Sequence, residues 1–187
     1  MATVPTYAVV PEHAVSSAED ALCSGGSLES RVEAAFARMD RKQPALATYL
    51  TSQFEGIRDE TAEALGSFLS VMVHESFDRA FGDRVCVLDA SAITRAQQSI
   101  ELDETLRREN AVEALETDDI VAMQQPAVMG FLREQLDSVL ASEEDDASDP
   151  IDVDALHAVY RAMMVAIVSL SATIRPVQST SGSRLLS

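Results

Sequence analysis

A fifteen-residue segment occurs twice in this chain, 82 positions apart, and it constrains the fold more than any other feature. Gln43-Pro44-Ala45-Leu46-Ala47-Thr48-Tyr49-Leu50-Thr51-Ser52-Gln53-Phe54-Glu55-Gly56-Ile57 aligns without gaps onto Gln125-Pro126-Ala127-Val128-Met129-Gly130-Phe131-Leu132-Arg133-Glu134-Gln135-Leu136-Asp137-Ser138-Val139. Five positions are identical and five are conservative. Proline is tolerated in the first turn of a helix, where its missing N–H costs nothing, so each copy predicts a helix that starts at the proline. A long apolar segment follows each copy, over about 60–81 and 151–175. Two similar Pro-initiated helical hairpins are therefore expected, over about 43–81 and 125–175. Either they are an internal duplication, each hairpin burying the apolar face of the other, or amphipathic helices that start at proline simply look alike.

The rest of the chain reads as helix around this pair. Leu28, Val32, Phe36 and Met39 recur at helical spacing and predict a helix over about 28–40, with Ser27 or Ser30 as its cap and Glu33 completing a capping box with Ser30. Leu65, Phe68, Leu69, Met72, Val73, Phe77 and Ala80 form a broad face on 60–81, closed by Gly82. Val85-Cys86-Val87-Leu88 has strand composition but no partner of similar character, and reads as an extended connector. An interrupted helix is expected over about 91–116, and another from Pro126 to about 141. The expected fold is thus all-α: a single-domain helical bundle of about six helices over 27–176, between a flexible N-terminal arm (1–26) and a flexible Ser-rich tail (177–187).

Charge limits the function. Fourteen Lys plus Arg against 31 Asp plus Glu give a net charge of −17 in 187 residues. Phosphate backbones and anionic lipid surfaces are bound by clustered cations, so direct nucleic-acid or membrane binding is not expected. The apolar run 162–174 between Arg161 and Arg175 spans only about 20 Å as a helix, short of a hydrocarbon core of about 30 Å. Cys23 and Cys86 show no metal or redox spacing, and the first twenty residues lack a signal-peptide pattern, so a reduced cytoplasmic setting is expected.

No phosphate loop or nucleophile elbow is present, and the Asp149–Asp154 stretch lacks the turn glycine and the final glutamate of a calcium loop. His74 and Asp78 share a helix face. With Asp154 and His157 on the last helix they are the one combination that suggests a metal-dependent helical enzyme, although the ligand set is incomplete. The reading favoured over it is a non-enzymatic interaction or accessory protein, without cofactor, that contacts a basic protein partner or a further copy of itself. Its contact surface is expected to be an acidic face, with Glu143, Glu144, Asp145 and Asp146 as candidates, or an apolar groove between helices. The acidity has a plainer account too, as a solubilising or compositional trait.

Overall fold

The computed structural model describes residues 4–109, 117–142 and 152–177. It is all-helical. Eight α-helices are described: α1 (Glu12–Cys23), α2 (Leu28–Lys42), α3 (Pro44–Phe54), α4 (Glu60–Phe81), α5 (Ala90–Glu109), α6 (Thr117–Gln124), α7 (Pro126–Ser142) and α8 (Val153–Ser171). Among the described residues there is no strand, only an isolated antiparallel bridge between Val85 and Ile174.

Local chemistry sets most of the ends. Pro44 opens α3 in its first turn. Asp59 caps α4 by accepting from the Ala62 N–H (3.0 Å), and its other oxygen accepts from the N–H of Asp152 (2.8 Å), the residue that caps α8. Asp89 caps α5 through the Ala92 N–H. Gly82 ends α4 with φ at +52°, a conformation that a side chain disfavours. The capping box does not form: α2 begins after Ser27, which makes no side-chain cap bond, and Ser30 lies inside the helix.

The N-terminal arm is the main correction. Residues 12–23 form α1, and Ala8, Val10, Ala14, Val15, Ala18 and Leu22 are all buried in the core. The sequence hid this because half of these buried residues are alanine, which leaves little trace in a periodicity of bulky side chains. The helix count rises from about six to eight because of α1 and because of α6, a short helix beyond the interrupted one expected over about 91–116. The serine-rich tail beyond Val177 lies outside the described residues.

The contacts follow a pattern that no local rule dictates. α1 packs on α4 as α5 packs on α8, α2 on α3 as α6 on α7, and α2 on α4 as α6 on α8. Across the middle, α3 meets α8 and α5, while α7 meets α4 and α1. Exchanging α1–α4 with α5–α8 thus reproduces the helix contacts, apart from that of α3 with α4. At the centre α4 crosses α8, with Gly66 at the contact: a β-carbon there would lie 3.0 Å from the Phe54 ring and 3.2 Å from Val159 Cγ2. The absent side chain is what lets the two long helices approach.

The two echoed glutamines explain how the halves are joined. Gln43 is buried; its Nε2 donates to the Cys86 carbonyl (3.0 Å) and its Oε1 accepts from the Leu88 N–H (2.8 Å). Gln125 is buried too; its Nε2 donates to the Ala8 carbonyl (2.7 Å) and to Ser171 Oγ (2.9 Å), and its Oε1 accepts from the Val10 N–H (2.9 Å). Each side-chain amide pairs with an extended segment just before a helix of the other half, as a neighbouring strand would. The connector at 85–88 therefore finds its hydrogen bonds without a sheet.

α8 is, among the described residues, the one helix long and apolar enough to cross a membrane. Most of it is buried against α3, α4, α5 and α6, as in the core helix of a folded domain.

Candidate partner groove

The residues singled out for metal chemistry do not converge. His74 is buried in α4, while Asp78 reaches outward to Lys42, which donates to both its oxygens at 2.7 Å. Asp154 and His157 are exposed in the first turns of α8. Among the described residues no group of three or more His, Cys, Asp or Glu has the geometry to hold a metal ion.

What surrounds His74 instead is a network of ion pairs between α2 and α4, tied to α1 by a hydrogen bond. Arg38 donates to Glu75 Oε1 through Nη2 (3.0 Å) and Nε (3.3 Å), Arg79 lies 3.8 Å from Glu75 Oε2, and Arg79 Nη1 donates to Ser17 Oγ (3.0 Å). His74 Nδ1 is buried with no hydrogen-bond partner. Burial lowers the His74 pKa below its ordinary value, and Lys42 and Arg38 lower it further against the opposing pull of Asp78 and Glu75. Because the unfolded chain then binds a proton more readily than the folded one, stability is full above about pH 6.5 and falls as the pH drops below it. The expected slope is at most about 1.4 kcal/mol per pH unit. His74→Leu should flatten denaturation midpoints between pH 7 and 5; the same pH dependence in variant and parent would mean that this histidine does not titrate on unfolding.

Glu143, Glu144, Asp145 and Asp146 lie outside the described residues. The acidic and apolar features do meet elsewhere, in a groove of about 930 Å³ between α2 and α4. Its floor comes from Leu28, Val32, Phe36 and Ala37 of α2 with Ala64 and Phe68 of α4, and its rim carries Glu29, Glu33 and Asp40 on one side and Glu60 and Glu63 on the other. Among the described residues, no Lys, Arg or His lines it. All five carboxylates are exposed, and Leu28 keeps 46% of its surface in water.

Helical spacing builds this groove. α2 has two apolar faces: Ala35 and Met39 are fully buried, whereas Leu28, Val32 and Phe36 sit one helical step around and stay partly open. The expected stripe 28–32–36–39 merged these two faces into one. The signal that separates them was present, since acids at 29, 33 and 40 flank the open positions, while 35 and 39 have none of their own.

The electrostatics suit a cation. Five like charges around one opening repel each other, and low-dielectric walls focus their field into it. The lining residues run over 28–40 of α2 and 60–68 of α4, about 18 Å and about 12 Å of helix, room for a few turns of a docked helix. Compared with protein families, curated proteins and solved structures, the chain finds no match.

Proposed function

We propose that this protein is a non-catalytic interaction module that takes a basic amphipathic helix of a partner protein into the α2/α4 groove. One observation carries the reading: an apolar floor and five carboxylates share one opening that, among the described residues, no cation lines. A helix presenting apolar side chains at i, i+3, i+4 and i+7 would seat them on Leu28, Val32, Phe36 and Phe68, and lysines or arginines beside that stripe would meet the rim. Burial of the apolar face supplies affinity; the charges supply approach rate and partner choice. The acidic residues 143–146 are proposed as a further attractive surface for the same basic partner.

The repetition of helix contacts supports a second part of this reading, that α1–α4 and α5–α8 are copies of one four-helix unit in a single domain. The repeat would then run well beyond the Pro-initiated hairpins, to residues 8–78 and 86–171. Ala8, Val10, Val15, Ala18 and Leu22 would correspond to Cys86, Leu88, Ile93, Ala96 and Ile100. All but Cys86 are buried in both sets. The lengths agree as well: the offset is 78 at α1/α5, 82 at the glutamines and 93 at the caps Asp59 and Asp152, so it changes only between helices.

The test is a titration with two synthetic 18-residue amphipathic helices of identical apolar face, one flanked by lysines and the other by glutamates. Only the lysine peptide should bind, and its affinity should fall as salt rises from 50 to 500 mM, where exposed charges are screened. Reversing Glu29, Glu33 and Glu63 to lysine should invert the preference at unchanged thermal stability. Equal binding of both peptides, or of neither, would overturn the proposal.

A further inference from the structure

The two helices that form the groove also share a buried histidine. α2 is joined to α4 by Arg38, which donates to Glu75 Oε1 (3.0 Å), and by Lys42, which donates to Asp78 (2.7 Å). His74 lies next to Glu75 and one turn before Asp78; it is 3% exposed, and its Nδ1 has no hydrogen-bond partner. The charged groups that act on it are Asp78 and Glu75 of its own helix and Lys42 and Arg38 of α2. Among the described residues none comes from α1, α3, α7, α8 or the turn Gly82–Arg84, which also pack on α4. Arg79, the third cation of the network, lies against Glu75 and Ser17 of α1.

α2 is held lightly. Of its 15 residues only Ala35 and Met39 are buried, against 12 of the 19 in α8. Gly25 and Gly26 precede it with φ at +81° and +36°, a region that side chains disfavour, and they give the chain a pivot. A helix with so few buried contacts opens locally at lower cost than the whole fold.

Opening changes what His74 meets. While α2 is in place, a charge on the imidazole is unfavourable, chiefly because burial withholds water from it. With α2 lifted, the imidazolium is hydrated and pairs with Glu75 and with Asp78, four residues on along the same helix. Arg38 and Lys42 then compete with it for the carboxylates that held α2.

We propose that His74 makes the α2/α4 contact an acid-sensitive latch: its protonation favours a form in which α2 has lifted from α4 and the groove is gone. The link to a partner rests on the groove reading above; the motion of α2 belongs to the free protein. The open form takes up a proton near the ordinary histidine value of about 6.5 and the closed form only at lower pH, so acid favours opening. From pH 7 to 5.5 the ratio of open to closed form rises by up to roughly tenfold. Proton and partner helix are then antagonists, each favouring the form that the other does not bind.

The experiment reads hydrogen exchange of the full chain at pH 7 and 5.5, as protection factors, which divide out the intrinsic pH dependence of exchange. Ala35 and Met39 of α2 should be protected at least about tenfold less than Val159 and Val165 of α8, and acid should lower their protection by up to roughly tenfold more. His74→Leu and His74→Gln, neither of which titrates, should each remove that fall. The lysine-flanked peptide, which binds only the closed form, should restore protection of Ala35 and Met39 at pH 5.5. Equal protection of α2 and α8, no fall between the two pH values in the parent, or the same fall in both variants would overturn the proposal. The expected fall without any effect of the peptide would support the latch and overturn the groove reading instead.

Discussion

Replacing Gln125 by leucine should destabilise the fold by roughly 2–6 kcal/mol, because it strands the Val10 N–H and the Ala8 carbonyl in the interior at about 1–3 kcal/mol each. Both groups now pair with the Gln125 amide, and Ser171 Oγ loses a donor as well. Leucine matches the shape of glutamine, so little room opens for a replacing water. Gln43→Leu should cost a similar amount through Cys86 and Leu88. A glutamate at either position keeps an acceptor for the N–H but turns an oxygen toward the carbonyl, and should also destabilise. Urea denaturation measures the loss, and hydrogen exchange locates it: protection of the Val10 amide should fall in the Gln125 variant, and that of Leu88 in the Gln43 variant. A loss below 1 kcal/mol for both leucine variants would mean that these amides do not hold the halves together. An effect of this size could consume much of the margin of a protein whose net stability is typically about 5–15 kcal/mol.

Leu50→Ala and Leu132→Ala should each cost roughly 2–5 kcal/mol, the range for a leucine removed from a packed core. Both side chains are fully buried, and they occupy the same place in the two copies of the echoed segment. The cost has two parts, the lost transfer free energy and the cavity that the neighbours fail to fill. Leu50 sits in α3, which is wedged against α2, α5 and α8; Leu132 sits in α7, against α6, α1 and α4. Each truncation therefore loosens a helix that bridges the two halves. Leu102→Ala provides the contrast, since Leu102 is 60% exposed and should change stability by no more than about 0.5 kcal/mol. If Leu50→Ala or Leu132→Ala resembled that control, the core assignment of α3 and α7 would fail.

Both predictions rest on one segment, and they show how far a sequence can be read. Pro44 and Pro126 announced where α3 and α7 begin, since proline has few places in a helix. The spacing of Leu46, Leu50 and Phe54 gave their buried face, and all three are buried. α4 was readable for the same reason: its apolar face is wide, and a glycine with positive φ follows it. α1 was missed because half of its buried residues are alanine. The four metal candidates were chosen from residue types on helix faces, and a helix face says nothing of what lies opposite. The charged groups acting on His74 are the carboxylates Asp78 and Glu75 and the cations Lys42 and Arg38, not Asp154 or His157.

By itself, then, the sequence determined most of the helices: their punctuation by proline and glycine, and the faces that large apolar side chains must bury. These depend on residues three or four positions apart, and such interactions are written directly into the order of the chain. Only the tertiary structure decided that Gln43 and Gln125 serve as substitute strand partners for segments 43 and 115 residues away. It also decided that the acids of α2 and α4 share the rim of one groove. A buried glutamine and an exposed one are the same letter; what separates them is the backbone that arrives beside them. That arrival is set by how whole helices pack, which the local pattern does not encode.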